Sequence, residues 1–190
     1  MSDDPASSPY ASLEVQLGYR FTDVSRCETA LTHKSWLNEA SDKARTDNER
    51  LEFLGDAVLA LVVSDLLMKR FPERPEGELS KIRAAIVNEA GLAQVADGLQ
   101  LGQWIFLGRG EEQAGGRQKR SILADAVEAL VGATFLDGGF EAAYRVIARL
   151  LEPLIAGAEQ AAGRDFKSRL QELSQAHLHL APVYTVIGQA

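Results

Sequence analysis

The sequence predicts an all-α fold for the first 157 residues. Apolar residues recur there at helical spacing in several long segments. Helix-ending signals separate these segments, notably Phe71-Pro72 and Asp137-Gly138-Gly139. No stretch before residue 180 shows the alternation of apolar and polar residues that is typical of a half-buried strand. Hydrophobic residues make up 46% of the 190, which is ordinary for a globular protein and too high for a disordered one.

The clearest helix lies in the segment NERLEFLGDAVLALVVSDLLMKR. Asp47 or Asn48 can cap its N-terminus, and it runs to about Arg70, where Phe71-Pro72 stops it. Apolar residues lie on most of its sides, which predicts a central, buried helix. They are Leu51, Phe53, Leu54, Val58, Leu59, Leu61, Val62, Val63 and Leu66.

The other predicted elements are separated by polar or glycine-rich loops. In chain order they are weakly amphipathic helices up to about residue 40, a polar loop at 41–47, a loop at 73–78, a helix at 81–98, a mobile surface loop at 107–118, a helix from about Lys119 to Leu136 and a core helix at about 140–156.

We expect four parts along the chain. They are a flexible N-terminus (1–9), a helical domain (10–156), a linker of small and polar residues (157–164) and a C-terminal tail (165–190). Within the tail, residues 166–177 have helical spacing and residues 183–187 are typical of a strand. One helix and one strand cannot bury a core of their own.

The composition limits the possible partners and location. A formal net charge of −7 argues against a protein that coats nucleic acid by charge alone, while local basic patches remain possible. Cys27 is the single cysteine, so no disulfide forms within the chain, and we expect a buried, small apolar residue. The N-terminus has no signal-peptide pattern, and no apolar run is long enough to span a membrane. We therefore expect a soluble, cytoplasmic protein with no membrane partner.

Two groups of acids interrupt the apolar helices. Glu49, Glu52 and Asp56 are spaced i, i+3, i+7 and lie along one stripe of the first helix, while Asp125 and Glu128 share a face of a later one. Carboxylates close together in apolar surroundings raise one another's pKa unless a cation neutralises them. The pattern therefore suggests a divalent cation between two crossing helices, and with it phosphodiester chemistry.

The ligand type indicates which metal such a site would hold. Oxygen donors without cysteine or histidine suit Mg²⁺, with Mn²⁺ as a substitute. A di-iron bundle is the rival, but it normally carries Glu-x-x-His pairs, which this chain lacks. Acids at this spacing also occur on ordinary solvated helix faces, so the pattern alone leaves both interpretations open. Gly55, in the middle of the first acidic helix, indicates either a tolerated defect or close approach of another backbone.

Residues 48–59, NERLEFLGDAVL, closely resemble the signature of the ribonuclease III family. Three further blocks agree in the same order along residues 10–155: LTHKSW (31–36), GELSKIRAAIVN (77–88) and LGRGEEQAGGRQKRSILADAVEALVGATFLDGG (107–139). The resemblance implies an all-helical endonuclease domain that forms a symmetric homodimer and cleaves double-stranded RNA with Mg²⁺. It implies products with 5′ phosphates and short 3′ overhangs, and ribosomal or messenger RNA precursors as the usual substrates.

The resemblance also assigns roles to individual residues. Glu52, Asp125 and Glu128 match the positions that hold the metal, and Asp56 and Glu128 match the positions assigned to catalysis. Other residues match positions that contact or orient RNA, or lie near the expected cleft. They are Glu49, Glu76, Arg117, Lys119 and Gln171, with Arg74, Lys81, Arg83 and Arg120 as additional basic residues. His33 and Ser35 fall in a family block away from the acids and are expected to be structural.

The chain departs from the family at its C-terminus. Residues 165–190 resemble the first helix and strand of a double-stranded-RNA-binding domain, which favours a fragment of a longer protein and makes an RNA contact at Gln171 doubtful. The alternative to an enzyme is a non-catalytic RNA-binding or assembly module on the same fold. A purely structural helical bundle is a third possibility.

Overall fold

A computed structural model describes residues 8–39 and 45–164, together with the isolated residues 174, 175, 180 and 182. The chain divides into two compact units, Met1–Leu154 and Ile155–Ala190. The α-helices are α1 (Ala11–Leu17), α2 (Val24–Ala30), α3 (Lys34–Glu39), α4 (Glu49–Arg70), α5 (Glu76–Ile86), α6 (Glu89–Gly98), α7 (Arg109–Gln113) and α8 (Arg120–Arg164). Over these described residues the only β pairing is an isolated bridge between Thr32 and Phe106. The all-α prediction is confirmed, and no described helix is long and apolar enough to cross a membrane.

The start of α4 is fixed by a buried asparagine. Asn48 is 3% exposed; its backbone N–H donates to the carbonyl of Thr32 at 2.9 Å, and its side-chain amide donates to Ala30 O at 3.4 Å. Asp47 Oδ1 accepts from the backbone N–H of Glu49 at 3.3 Å. Asn48 occupies the N-cap position, but its side chain makes no capping hydrogen bond to α4 and instead ties the helix start to the end of α2. Asp47 supplies the side-chain bond to the first turn.

The surface of α4 differs from the prediction. We expected a helix buried on nearly all sides, but Phe53 is 82% exposed, Leu61 59% and Met68 63%. Residues 53, 57, 61 and 68 follow helical spacing, so the exposed apolar residues form one stripe along the helix, which Ser64 interrupts where it accepts a hydrogen bond from Arg83. Apolar periodicity could not reveal this stripe, because it does not distinguish a face buried within one chain from a face left for a partner.

Two predicted segments have different structure. The expected helix at 81–98 is two helices, because Asn88 takes an extended conformation and its side chain accepts the N–H of Gly91 to cap α6. The expected mobile loop at 107–118 contains α7 and a 3₁₀ turn over Gly116–Gln118. Arg117 organises this segment by donating to Gly102 O at 2.7 Å and to Glu112 Oε1 at 2.8 Å.

The predicted helix end at Asp137-Gly138-Gly139 is a kink inside α8. Gly139 has φ +75° and ψ −173°, a conformation that suits glycine. Asp137 connects the kink to the segment between α1 and α2. Its carboxylate accepts hydrogen bonds from the Tyr19 hydroxyl at 2.7 Å and from the backbone N–H groups of Thr22 and Asp23 at 2.8 and 3.0 Å. These bonds outweigh burial and lower the pKa of Asp137.

Only part of the predicted C-terminal region lies within the described residues. Residues 157–164, expected to be an irregular linker, are helical because α8 continues to Arg164. The predicted helix at 166–177 and strand at 183–187 lie outside the described residues, apart from Ser174 and Gln175, which are helical. The division into a nuclease domain, a linker and a partial RNA-binding domain remains a prediction.

Candidate active site

The two acidic segments meet where α4 crosses α8. Gly55 and Gly132 lie at this crossing: a Cβ on Gly55 would overlap the carbonyl oxygen of Glu128, and a Cβ on Gly132 would overlap that of Leu51. Of the two interpretations of Gly55, the structure shows close approach of another backbone, and this approach occurs within one chain. The contact with α8 accounts for Gly55 without a partner.

Three predicted ligands converge at this crossing. Glu52 from α4 and Asp125 and Glu128 from α8 each offer a carboxylate oxygen, and these oxygens all lie within 4.8 Å of one another. All three residues are half-buried, so the group is reachable yet poorly hydrated. The glycine crossing explains the short distances, because it removes the side chains that would keep the two helices apart.

The electrostatics of the group are unfavourable without a cation. Burial, followed by the charges of Asp56, Glu52 and Asp125, raises the pKa of Glu128 to about 7. Burial also raises the pKa of Glu52 and of Asp125. Like charges held this close favour protonation of one member, and a bound cation would favour the ionised form of all three.

The chemistry of the donor set fits a hard divalent cation. Among the described residues, this is the group of acids, histidines and cysteines whose geometry can hold a metal, and all its donors are carboxylate oxygens. Such donors suit Mg²⁺ or Mn²⁺ better than softer metals. Asp56 lies outside the three-residue group; it is exposed, and its charge acts on Glu128.

The residues predicted to position RNA do not form one group in the structure and have different partners. Glu49 Oε1 accepts from Lys34 Nζ at 2.9 Å, and Glu76 is an exposed residue at the start of α5. Lys119 Nζ lies 3.3 Å from Glu111 Oε1. Arg117 is engaged by the backbone and Glu112, as described above, which makes it an organiser of its own loop. Gln171 lies outside the described residues.

One part of the site was missed by sequence reasoning. His33, in the turn before α3, and Lys34, the first residue of α3, were not predicted near the acids, yet both charges lower the pKa of Asp125 against the larger effect of burial. His33 also makes the structural bonds expected of it: Nδ1 lies 2.8 Å from Ser35 Oγ, which in turn accepts from the N–H of Gly108 at 2.9 Å. Both residues belong to the LTHKSW block, but that block is separated from the acids in the sequence, and nothing local indicates that it folds beside them.

Comparisons with known proteins agree with this geometry. A family model described as Ribonuclease-III-like matches residues 24–154. The chain is 51% identical over 181 residues to Ribonuclease 3 of Magnetococcus marinus, covering 93% of this chain and 74% of that protein. It is 49% identical over 178 residues to Ribonuclease 3 of Syntrophotalea carbinolica, covering 93% and 77%.

Solved structures show the same fold. The nuclease domain of ribonuclease III from Campylobacter jejuni, described for flexibility in a region involved in dimer formation, matches with a TM-score of 0.70 and 48% identity, covering 76% of this chain and 96% of that one. Dicer from Pichia stipitis matches with a TM-score of 0.53 and 26% identity, covering 89% and 75%.

The helical fold matches a solved nuclease domain, and its convergent carboxylates form a group that could hold a metal ion. The matched sequence and fold are more specific than that. The chain belongs to the ribonuclease III family.

Proposed function

We propose that the chain hydrolyses phosphodiester bonds in double-stranded RNA. The observation that carries the proposal is the convergence of Glu52, Asp125 and Glu128 at the crossing of α4 and α8. Family membership supports the same conclusion, since relatives named Ribonuclease 3 match over more than nine-tenths of the chain. The intact carboxylate group argues against the non-catalytic alternative, because unneutralised half-buried acids destabilise a fold.

The three converging carboxylates would hold Mg²⁺, with Mn²⁺ as a substitute. Such an ion supplies charge neutralisation on the phosphate and a more acidic bound water. Glu52 and Asp125 fix its position from two different helices. Glu128 contributes a ligand and lies beside Asp56, so these two acids are placed to orient the water and accept its proton.

Double-stranded RNA is recognised mainly by its shape, phosphates and 2′-hydroxyl groups. We propose that water attacks phosphorus and the P–O3′ bond breaks, so that the products carry a 5′ phosphate and a 3′ hydroxyl. Cuts staggered across the minor groove leave short 3′ overhangs. Precursors of ribosomal or messenger RNA are the substrates that family membership suggests.

Digestion of a labelled RNA duplex tests this function. We expect cleavage of both strands in Mg²⁺ or Mn²⁺, no cleavage in excess chelator, and product ends that carry 5′ phosphates with 3′ overhangs. A duplex that stays intact with every divalent cation would support the non-catalytic module. Cleavage that persists in chelator would refute the proposed role of the carboxylate group.

We also propose that the chain acts as a homodimer through the exposed stripe of α4. Phe53 is almost fully exposed, although large aromatic side chains are normally buried. Leu61 and Met68 continue the stripe. A self-complementary helix face of this kind suits a two-fold interface. Phe53 and Asp56 lie one turn apart on α4. An interface at Phe53 would therefore place the acidic groups of the two subunits along one surface of the dimer.

Changing Phe53 to Glu tests the interface. We expect the variant to be monomeric at micromolar concentration, because a charge replaces the most exposed apolar residue of the stripe. Size-exclusion chromatography with light scattering measures the mass. Val15→Glu is the matched control, since Val15 is 73% exposed on α1. A dimeric Phe53→Glu variant would place the interface elsewhere.

A further inference from the structure

Lys34 occupies an unusual position for an exposed lysine. It is the first residue of α3, and its Nζ lies 2.9 Å from Glu49 Oε1 at the first residue of α4. The two side chains are 63% and 55% exposed, so the ammonium group is open to solvent on the side opposite the carboxylate. Exposed pairs of this kind are weak and exchange readily for another partner.

The backbone beside Lys34 is held firmly. The N–H of His33 donates to Phe106 O at 3.1 Å, and the carbonyl of Thr32 accepts from Asn48 at 2.9 Å. These bonds connect the turn to the loop before α7 and to the start of α4. Lys34 therefore projects from a fixed base, and only its flexible side chain has to move to meet a new partner.

Lys34 lies on the side of the carboxylate group. Glu49 is three residues before Glu52 on α4, so the two acids share a face, and the ammonium bound to Glu49 lies next to the metal ligands. Its charge lowers the pKa of Glu52 and of Asp125, against burial, which raises both. The ammonium is thus close to ligands on both crossing helices.

The charged groups that act on Lys34 are acids, namely Glu49, Asp47 and Glu52, so a phosphate can approach it only when a cation has offset them. A second lysine, Lys119, also acts on Asp125 and is paired with Glu111. The carboxylate group is thus flanked by two lysines, each held by an acid that is not a member of the group.

We propose that Lys34 binds a backbone phosphate of the RNA duplex at the carboxylate site, and that Glu49 holds its ammonium group until the phosphate replaces it. The inference rests on the proposed function, because it names the substrate contact of that site. It also gives Glu49 a definite role: the acid positions RNA indirectly, by positioning Lys34. A phosphate oxygen is a stronger partner than an exposed carboxylate when the ion bound nearby has already offset the negative charge of the acids.

The alternative is that the Lys34–Glu49 pair only connects α3 to α4. The two explanations differ in how the effects combine. A structural pair predicts only the long-range effect of each lost charge on RNA affinity, so the effects of Lys34→Gln and Glu49→Gln add in the double variant, whereas phosphate binding predicts that Glu49→Gln no longer tightens binding once Lys34 is Gln. Phosphate binding predicts weaker RNA affinity for Lys34→Gln and tighter affinity for Glu49→Gln, because the second change removes the competing carboxylate and frees the ammonium.

The experiment measures duplex RNA affinity in an Asp56→Asn background, so that cleavage is suppressed while the three carboxylates that would hold the ion stay intact, at several salt concentrations in Mg²⁺. We expect Lys34→Gln to weaken binding about fivefold at 0.15 M salt and to reduce the slope of log affinity against log salt by about one. Lys34→Arg should restore both values, since guanidinium also binds phosphate. Glu49→Gln should tighten binding.

Lys69→Gln is the matched control. Lys69 pairs with Asp65 at 2.7 Å with side chains 66% and 42% exposed, near the opposite end of α4. It is 20 residues from Glu49, about 30 Å along the helix. We expect its affinity and salt slope to equal those of the parent, and its thermal unfolding to show what the loss of a surface pair, together with the contact of Lys69 with Tyr144, does to the fold.

Two results would overturn the inference. One is equal affinity and salt slope for Lys34→Gln and Lys69→Gln, and the other is a loss of affinity for Glu49→Gln that matches Lys34→Gln. The proposed function is judged separately, from cleavage by the unmodified protein. If the unmodified protein does not cleave RNA but RNA binding still depends on Lys34, the proposed enzymatic activity is refuted and the proposed phosphate contact stands.

Discussion

Glu128→Gln is expected to lower the rate of RNA cleavage by about a thousandfold or more, while duplex binding and dimer mass stay near those of the unmodified protein. Glutamine keeps the size of the side chain but removes the charge that would hold the cation and the base that would accept a proton. The loss should appear in kcat, because Glu128 acts on the reacting group. A variant that retains full turnover in Mg²⁺ would remove Glu128 from the site.

The same substitution is expected to stabilise the metal-free protein at pH 8. The pKa of Glu128 is raised to about 7 in the fold, above its usual 4.5, so the folded chain binds more protons than the unfolded chain between these values. The free energy of unfolding therefore falls as pH rises from about 4.5 to about 7, and the full loss is present above pH 7. Discounted for partial exposure, the loss is about 1–2 kcal/mol.

Thermal unfolding in chelator and in Mg²⁺ measures this effect. In chelator at pH 8 the glutamine variant should melt above the unmodified protein, and the difference should vanish near pH 4.5. In saturating Mg²⁺ the unmodified protein should melt above the glutamine variant, because a cation bound only to the native state stabilises it and the variant has lost a charged ligand. Glu141→Gln, an exposed acid of α8 outside the carboxylate group, is the control and should show neither effect. Equal melting temperatures for the unmodified protein and Glu128→Gln in chelator at pH 8 would contradict the raised pKa of Glu128.

Gly55→Ala is expected to lower the free energy of unfolding by about 3 kcal/mol. The added Cβ would overlap the backbone carbonyl of Glu128, and a backbone group cannot rotate away as the end of a side chain can. Relief requires α4 and α8 to separate, so the oxygens of Glu52 and Glu128 would also move apart. We therefore expect weaker metal binding together with the loss of stability.

Urea unfolding of Gly55→Ala and Gly77→Ala provides the comparison. Gly77 lies in α5 with no atom within 4 Å of an added Cβ. Alanine there should stabilise the protein by up to about 1 kcal/mol, since glycine is the poorer helix former. A Gly55→Ala protein as stable as the Gly77→Ala protein would show that the helices do not need this close contact.

The fold could be predicted where local signals decide it. The span of α4 followed from its apolar run and the Phe71-Pro72 stop, and two adjacent glycines marked the position of Gly139, where a helix end was predicted and α8 instead has a kink. The break at Asn88 was missed because one extended residue between two helical segments leaves apolar spacing almost unchanged. The order of residues 109–118 depends on Arg117 bonds to the backbone of a different segment, which no local pattern contains.

The candidate site could be predicted in its acids but not in its surroundings. Glu52, Asp125 and Glu128 stand out because charge is rare in apolar helices, and the spacing placed each on a definite face. Lys34 did not stand out, because a single lysine in a polar turn is ordinary. Its place beside Glu49 results from the hydrogen bonds between the turn, Phe106 and Asn48, which link segments more than a dozen residues apart.

The crossing of α4 and α8 also sets the time at which a newly made chain becomes competent. Asp125 follows Glu52 by 73 residues, and Gly132 must be available before the two helices can close. At about 5–20 residues per second, translation leaves an interval of roughly 4–15 s in which the first acids exist without the second. On the proposed function, a nascent chain cannot cleave RNA until Asp125 and Glu128 have left the ribosome and met Glu52.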